Sequence, residues 1–330
     1  MHDFSRKIGI FSLVLLSACS SSGLRKFDEG DISKELSADA AKKFEVKEVS
    51  NTNPTPSPEL MPVAKQVKVK AVKKTKKQKA EAMANPSPTP FSPPSRRTEP
   101  MPFEIGERLS YDIRFIGVTA GTLDIETKPL KEMNNRKVYH LEARIKTVKF
   151  FELVYRVNDL VESFWDYEGL YSHRFTMELD ESKQTRKLIE LYDYEKKKSF
   201  YWNRVDHVEK GQKEEKESYD IALWAQDPIS ALFYLRAAKL PTEPGKEFRF
   251  PLIIDGKPWE GVMHFKKNET VYAGGKDRMA NVYSFDNYQN GELKNKDNTV
   301  WISDDEHRYV LRVEAKVKVG TFAVALDNIL

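Results

Sequence analysis

Arg308-Tyr309-Val310-Leu311-Arg312-Val313-Glu314-Ala315-Lys316-Val317-Lys318-Val319 is the stretch whose reading decides the fold. Tyr309, Leu311, Val313, Ala315, Val317 and Val319 fall at every second position, with Arg312, Glu314, Lys316 and Lys318 between them. Successive side chains of a strand point to opposite faces, so this alternation predicts a long strand with one dry and one wet face. A single wet face belongs to an antiparallel sheet rather than to a parallel sheet covered on both sides.

The same reading extends outward through the chain. Leu109, Tyr111, Ile113 and Phe115 alternate with Ser110, Asp112 and Arg114, and Tyr139, Leu141, Ala143 and Ile145 share one face of a segment 138–146. Further strands are predicted over 122–127, 157–166, 170–180, 186–194, 199–210, 248–254, 259–266, 267–272, 280–288, 298–303 and 321–326, while 149–154 fits either a helix or a strand. Asp255-Gly256 and Asn290-Gly291 sit between runs as hairpin turns. Many short, aromatic and β-branched runs separated by turn residues predict an all-β sandwich or barrel-like sheet.

One segment breaks the pattern. Asp227 is a good N-cap and Pro228 suits the first helical turn, after which Ile229, Leu232, Phe233 and Arg236 recur at helical spacing. Pro241 and Pro244-Gly245 end this helix, whose apolar face is expected to cover or plug the sheet. The fold expected is therefore mainly β: a large curved antiparallel sheet, as a half-open barrel or a sandwich, with one covering helix.

The N-terminal part reads differently. Arg6 and Lys7 precede a short apolar run, Ile8 to Leu16, and then Leu16-Ser17-Ala18-Cys19. A basic start, an apolar core too short to span a bilayer and small residues before a cleavage point make a signal peptide over 1–18. Cys19 is the only cysteine of the 330 residues, so it has no intrachain disulfide partner, and its position makes it the expected lipidation site. Each buried CH₂ of an acyl chain contributes about 0.8 kcal/mol, so several chains hold a protein firmly to a membrane. Ser20, rather than Asp, after the cysteine favours the outer membrane facing the periplasm over the inner membrane.

Residues 19–100 are expected to be a disordered tether, with Asp39 to Lys47 as a short helix within it. Pro54, Pro56, Pro58 and Pro62, then Pro86, Pro88, Pro90, Pro93 and Pro94, break regular elements and favour a semi-rigid spacer. Lys65 to Lys79 contains no acidic residue. It reads either as a solvated, self-repelling linker or as a contact for an anionic envelope polymer or lipid. All five tryptophans lie beyond residue 160, which places the core in a domain over 101–330. That domain carries 36 basic and 39 acidic residues, against 18 and 11 in the first hundred, so the net charge of +4 belongs to the tether. A near-neutral exported domain excludes a nucleic-acid binder, which needs a basic face.

Phe103-Glu104-Ile105-Gly106-Glu107-Arg108-Leu109-Ser110-Tyr111, Gly117 with Ala120-Gly121, Asp227 to Arg236, and Trp301-Ile302-Ser303-Asp304-Asp305 occur in that order. In this order they resemble the bacterial domain-of-unknown-function family 3108, over about 101–326. The resemblance implies an exported, curved antiparallel sheet with helical cover and supplies no catalytic residues.

Reactive constellations are weak. His140, His173, His207, His264 and His307 are scattered without zinc-ligand spacing, and no G-x-S-x-G elbow is present. Asp304-Asp305-Glu306-His307 is the densest polar cluster and reads as a turn before it reads as a cation or acid–base site. No enzyme, cofactor or metal is expected. The aromatic residues are the stronger candidates: Trp165, Trp202, Trp224, Phe233 and Trp259 either line a concave apolar surface or fill a core. Two functions remain open. One is a lipid-anchored periplasmic binding module for a lipid, a glycan or an envelope protein. The other is a structural or assembly lipoprotein whose basic tether contacts cell wall or membrane while its domain docks to a protein partner.

Overall fold

The computed structural model describes residues 34, 36–49, 93–317 and 320–330. The expected signal peptide, Cys19 and the run Lys65–Lys79 lie outside the described residues. In chain order the elements are α1 (Ala38–Lys43), β1 (Lys47–Glu48), β2 (Arg108–Phe115), β3 (Val118–Met133), β4 (Arg136–Thr147), α2 (Lys149–Glu152), β5 (Asn158–Asp166), β6 (Ser172–Asp180), β7 (Gln184–Asp193), β8 (Lys198–His207), β9 (Gly211–Asp220), α3 (Pro228–Ala237), β10 (Glu247–Ile254), β11 (Lys257–Ala273), β12 (Lys276–Gln289), β13 (Glu292–Ser303), β14 (Val310–Val317) and β15 (Gly320–Ile329).

One antiparallel sheet holds them in the order β10-β11-β12-β13-β14-β15-β2-β3-β4-β5-β6-β7-β8-β9, with β1 added beside β3. It is two meanders, β2 to β9 and β10 to β15, joined where β15 pairs with β2. The sheet curls without closing. The turn between β10 and β11 reaches the inner face of β7, where Gly256 donates its N–H to Glu190 at 2.7 Å and Arg186 donates to Asp255 at 2.8 Å. The β10 edge is covered by Gln226, whose N–H donates to Pro251 and whose carbonyl accepts from Ile253. The other edge, β9, is exposed along nearly its whole length and is rich in Lys and Glu, which blunts edge-to-edge pairing.

The strand that decides the fold is present as β14: Leu311 and Ala315 are buried, Lys316 is exposed, and Arg312 lies over the Trp301 ring. The expected turns have both residues at positive φ, at Asp255-Gly256 and at Asn290-Gly291, as the twist of a two-residue hairpin requires. Several strands differ from expectation. Residues 259–272 form a single strand, β11, in which a bulge between Phe265 and Lys267 breaks the alternation. β9 has no apolar alternation to announce it; its ladder with β8 holds it in place.

Helix α3 runs across the inner face. Its cap is complete: the Asp227 carboxylate accepts from the Ile229 and Ser230 N–H groups, and the Ser230 hydroxyl accepts from the Asp227 N–H. Seven of its ten residues are buried, on both sides of the helix. Arg236 is among them because Glu107 binds its guanidinium through both carboxylate oxygens and the Pro102 and His307 carbonyls accept from it.

The folded unit begins before residue 101. Of the helix expected over 39–47, only the first part is helical, as α1 capped by Ser37, and Lys47 lies in β1. Beyond it, Phe44 is buried on the outer face of the sheet with Met133, Val138, Phe164, Ile189, Leu191 and Trp202. Lys43 bonds to Asp193 and Glu195 at 2.9 Å each, and β1 pairs with Glu132 and Lys131 of β3. Residues 36–48 therefore form a strap across the outer face. Among the described residues, no helix is long and apolar enough to cross a membrane.

Candidate functional site

Beneath α3 the inner face carries a layer of aromatic rings. Alternation on β4 and β5 sends Tyr139 and Trp165 inward, and α3 presents Phe233 to them. Phe103, from the segment before β2, sits among the three, with ring centroids 5.0 Å from Phe233, 5.3 Å from Tyr139 and 6.1 Å from Trp165. These separations are those of packed aromatic pairs. Trp165 is also fixed in plane, since its indole N–H donates to the Gln226 side chain at 2.8 Å.

The segment 95–97 closes this layer from one end. Arg96 and Arg97 donate their backbone N–H groups to the Glu168 carbonyl. The Arg96 guanidinium lies over Trp224 at 4.9 Å and Tyr234 at 5.1 Å, and also donates to the Tyr234 hydroxyl. The Arg97 guanidinium lies over Tyr167 at 4.0 Å, donates to the Tyr139 hydroxyl and pairs with Glu99. Burial pushes the Tyr139 hydroxyl up to about 12 despite the adjacent cation. Two cations on a rim of electron-rich faces make a clamp of cation–π contacts.

Of the five residues expected to line a concave surface, the structure brings Trp165 and Phe233 together and places Trp224 at the rim under Arg96. Trp202 lies on the opposite, outer face, under the strap, because its neighbour Tyr201 takes the inward position facing Gly256. Trp259 is half-buried on β11, with its indole N–H lacking a partner among the described residues.

Buried ionisable groups hold the elements together. Asp227 accepts from the Ser163 hydroxyl at 2.5 Å and the Ser172 hydroxyl at 2.7 Å, tying α3 to β5 and β6. Burial pushes its carboxyl up, and these hydrogen bonds oppose the rise. Asp166 accepts from Arg136 at 2.5 and 2.7 Å, from His173 at 2.8 Å and from the Gly169 N–H at 2.6 Å. Burial alone would raise it, but the Arg136 and His173 bonds win and hold it well below the usual carboxylate range. His173 and Asp166 have the form of a base and its orienting acid. The adjacent hydroxyl, Ser172, is bonded to Asp227 and Ser230 instead, so no nucleophile–base pair is assembled there. Glu190, pushed up to about 7 by burial, accepts from Tyr192 and Gly256. Asp305 accepts from Ser303, His307 and Arg308, so Asp304 to His307 form the turn between β13 and β14.

Spacing along the sequence misses one cluster. His140 and Glu142 share the outer face of β4, and Glu142 stands directly opposite Glu162 of β5. One ligand atom from each of the three lies within 4.8 Å of the others, which is a donor set for a divalent cation. His140 bonds Glu162 at 2.8 Å and stacks on Phe164, while Arg144 bonds Glu142 at 2.9 Å. Charge balance is thus already supplied from within. Only the strand register brings Glu162 to the other two, and register is not visible in spacing.

A family model described as "Protein of unknown function (DUF3108)" matches residues 110–327. No curated protein matches. Three solved structures are similar at low level. A β-barrel-like protein of domain-of-unknown-function family DUF1849 from Brucella abortus has TM-score 0.40 and 10% identity, over 68% of this chain and 97% of that one. A protein from Bacteroides fragilis with a YmcC-like fold, described as exported, has TM-score 0.31 and 9% identity, over 70% and 98%. A protein from Parabacteroides distasonis described as a lipoprotein has TM-score 0.30 and 7% identity, over 69% and 96%.

Proposed function

Because the chain belongs to the DUF3108 family of proteins of unknown function, we propose its role from its own residues: a non-enzymatic, lipid-anchored module of the cell envelope that acts by docking through its outer surfaces. The observation that carries the reading is the packing of Phe103, Tyr139, Trp165 and Phe233 against one another beneath α3, where an internal ligand would have to lie. The buried acids support it too. Asp227, Asp166 and Glu190 are buried, and each joins one element of the fold to another. The anchor rests on Leu16 to Cys19, Ser20 favours the outer membrane, and the run Lys65–Lys79 supplies a contact for anionic polymer or lipid.

Intact-mass and native mass spectrometry of the protein purified from envelopes tests both halves. The expected result is an N-terminus at Cys19 carrying acyl chains, and no further bound mass. An N-terminus elsewhere would remove the anchor. A stoichiometric non-covalent lipid or glycan would overturn surface docking in favour of an internal carrier.

A further inference from the structure

Eleven large apolar residues are well exposed among the described residues, and five of them fall in two neighbouring loops: Ile116 and Val118 (64% and 55% exposed), and Phe150, Leu153 and Val154 (78%, 92% and 72%). The first pair lies at the turn from β2 to β3, and the other three in and after α2, between β4 and β5. The two loops are side by side. Gly121 of β3 pairs with Thr147 of β4, and the Val148 N–H donates to the Ala120 carbonyl at 3.1 Å. Behind them, the stacked rings of Phe115 and Phe322, 4.6 Å apart, make a firm base.

Single exposed apolar side chains are ordinary, but a contiguous group at one end of a sheet marks an interaction surface. Its shape and charge say which kind. The group is a projecting tip, not a groove, so it needs a partner that yields around it. Lys146, Lys149 and Lys316 surround it, exposed and without a carboxylate partner among the described residues; Arg114 is paired with Asp112, and Glu152 is the one nearby exposed acid. Aromatic and aliphatic side chains at a tip, ringed by lysines whose stems can reach to a headgroup layer, fit the interface of an anionic bilayer.

We propose that the tip formed by Ile116, Val118, Phe150, Leu153 and Val154 inserts into the surface of an anionic lipid bilayer, as a second membrane contact beside the lipid anchor. The insertion is a property of the tip alone; its role as a second contact rests on the anchored reading. Sixteen residues separate Cys19 from Leu36 of the strap, a reach of up to about 60 Å. The strap meets β3 near Glu132, and the fifteen residues of β3 from there to Val118 span about 50 Å. The two lengths are of the same order.

The test uses the chain from Ser20 onward, which keeps every described residue and lacks the single cysteine. Leu153→Cys, or Lys196→Cys at the turn between β7 and β8 at the opposite end of the sheet, carries an environment-sensitive fluorophore. Vesicles of phosphatidylglycerol and phosphatidylethanolamine with brominated acyl chains serve as the probe. The proposal expects quenching and a blue shift at position 153 and neither at 196. Adding Phe150→Ser and Val154→Ser should weaken vesicle binding about tenfold, with the far-ultraviolet spectrum unchanged because both side chains are exposed. Equal quenching at both positions, or none at 153, would overturn it, the first pointing to binding through Lys65–Lys79. A solution dimer that the serine pair dissolves would overturn it in favour of a second copy. Because the protein carries no lipid here, failure leaves the Cys19 anchor untouched.

Discussion

Asp159→Asn should remove much of an alkaline loss of stability. Asp159 is buried at the start of β5; one carboxylate oxygen accepts from the Asp180 N–H at 3.0 Å, and the other has no partner among the described residues. Burial, with the negative charge of nearby Glu181, pushes its carboxyl up to about 8 from 3.8. Burial raises Glu181 as well. Between about pH 4 and pH 8 the folded protein therefore holds a proton that the unfolded chain has released. Stability falls with rising pH in that window and levels off above it, at about 1.4 kcal/mol per pH unit. Across the window this amounts to on the order of 5 kcal/mol, comparable to the net stability of a domain. Asn keeps the acceptor for Asp180 and puts a neutral amide where the unpartnered oxygen was. Urea unfolding followed by tryptophan fluorescence, from about pH 5 to about pH 9, reads the outcome. The wild-type midpoint should fall steeply and the variant's more gently, so that the variant is the more stable near pH 8. Glu190, also raised, leaves a residual slope. Parallel slopes for the two proteins would refute the assignment of the proton to Asp159.

Asp227→Ala should cost about 3 kcal/mol, because it uncaps α3 and leaves the buried Ser163 and Ser172 hydroxyls without their acceptor; chemical denaturation reads the loss. Gly256→Ala should cost about 2 kcal/mol by the same assay, since φ there is +72° and a Cβ would stand 2.7 Å from the Tyr201 ring. Phe44→Ala should release the strap, seen by hydrogen exchange as lost protection over α1 and β1 with β5 to β8 still protected.

The parts of the fold legible in sequence are those whose chemistry is local. β2, β4 and β14 each keep one wet face, so a period of two announces them. Asp227-Pro228 marks the start of α3, and Asp255-Gly256 and Asn290-Gly291 mark hairpins by the backbone they permit. The parts that were not legible depend on partners remote in sequence. From Lys187 to Asp193, β7 is buried on both faces, one by the strap and one by the turn from β10 to β11. With both faces dry, composition cannot say which side of the adjacent β8 faces inward, and Trp202 and Trp165 look alike in sequence although they lie on opposite faces. Arg136 and Asp166 are thirty residues apart, and the pairing of β4 with β5 is what brings them together. Arg96 and Arg97 look like linker charges until the rings of Trp224, Tyr234 and Tyr167 lie beneath them.

The strap changes what the basic run can do. A tether fixed at one end would let residues 19–100 extend to some 250 Å. With 36–48 held on the outer face and 95–97 held over the rim, residues 50–92 instead connect two fixed points of the same folded unit. Burial of Phe44 alone contributes about 2 to 3 kcal/mol, and the half-buried Leu36 and Val46 contribute further. Lys43 with Asp193 and Glu195 adds a modest, partly screened increment. Phe44 is the largest of these contacts, so its loss weakens the strap's hold on the sheet most. Docked, the strap leaves 16 residues between Cys19 and Leu36; released, it leaves the whole stretch up to Pro93. On the proposed anchoring at Cys19, Phe44 would then set how far from a membrane the domain works.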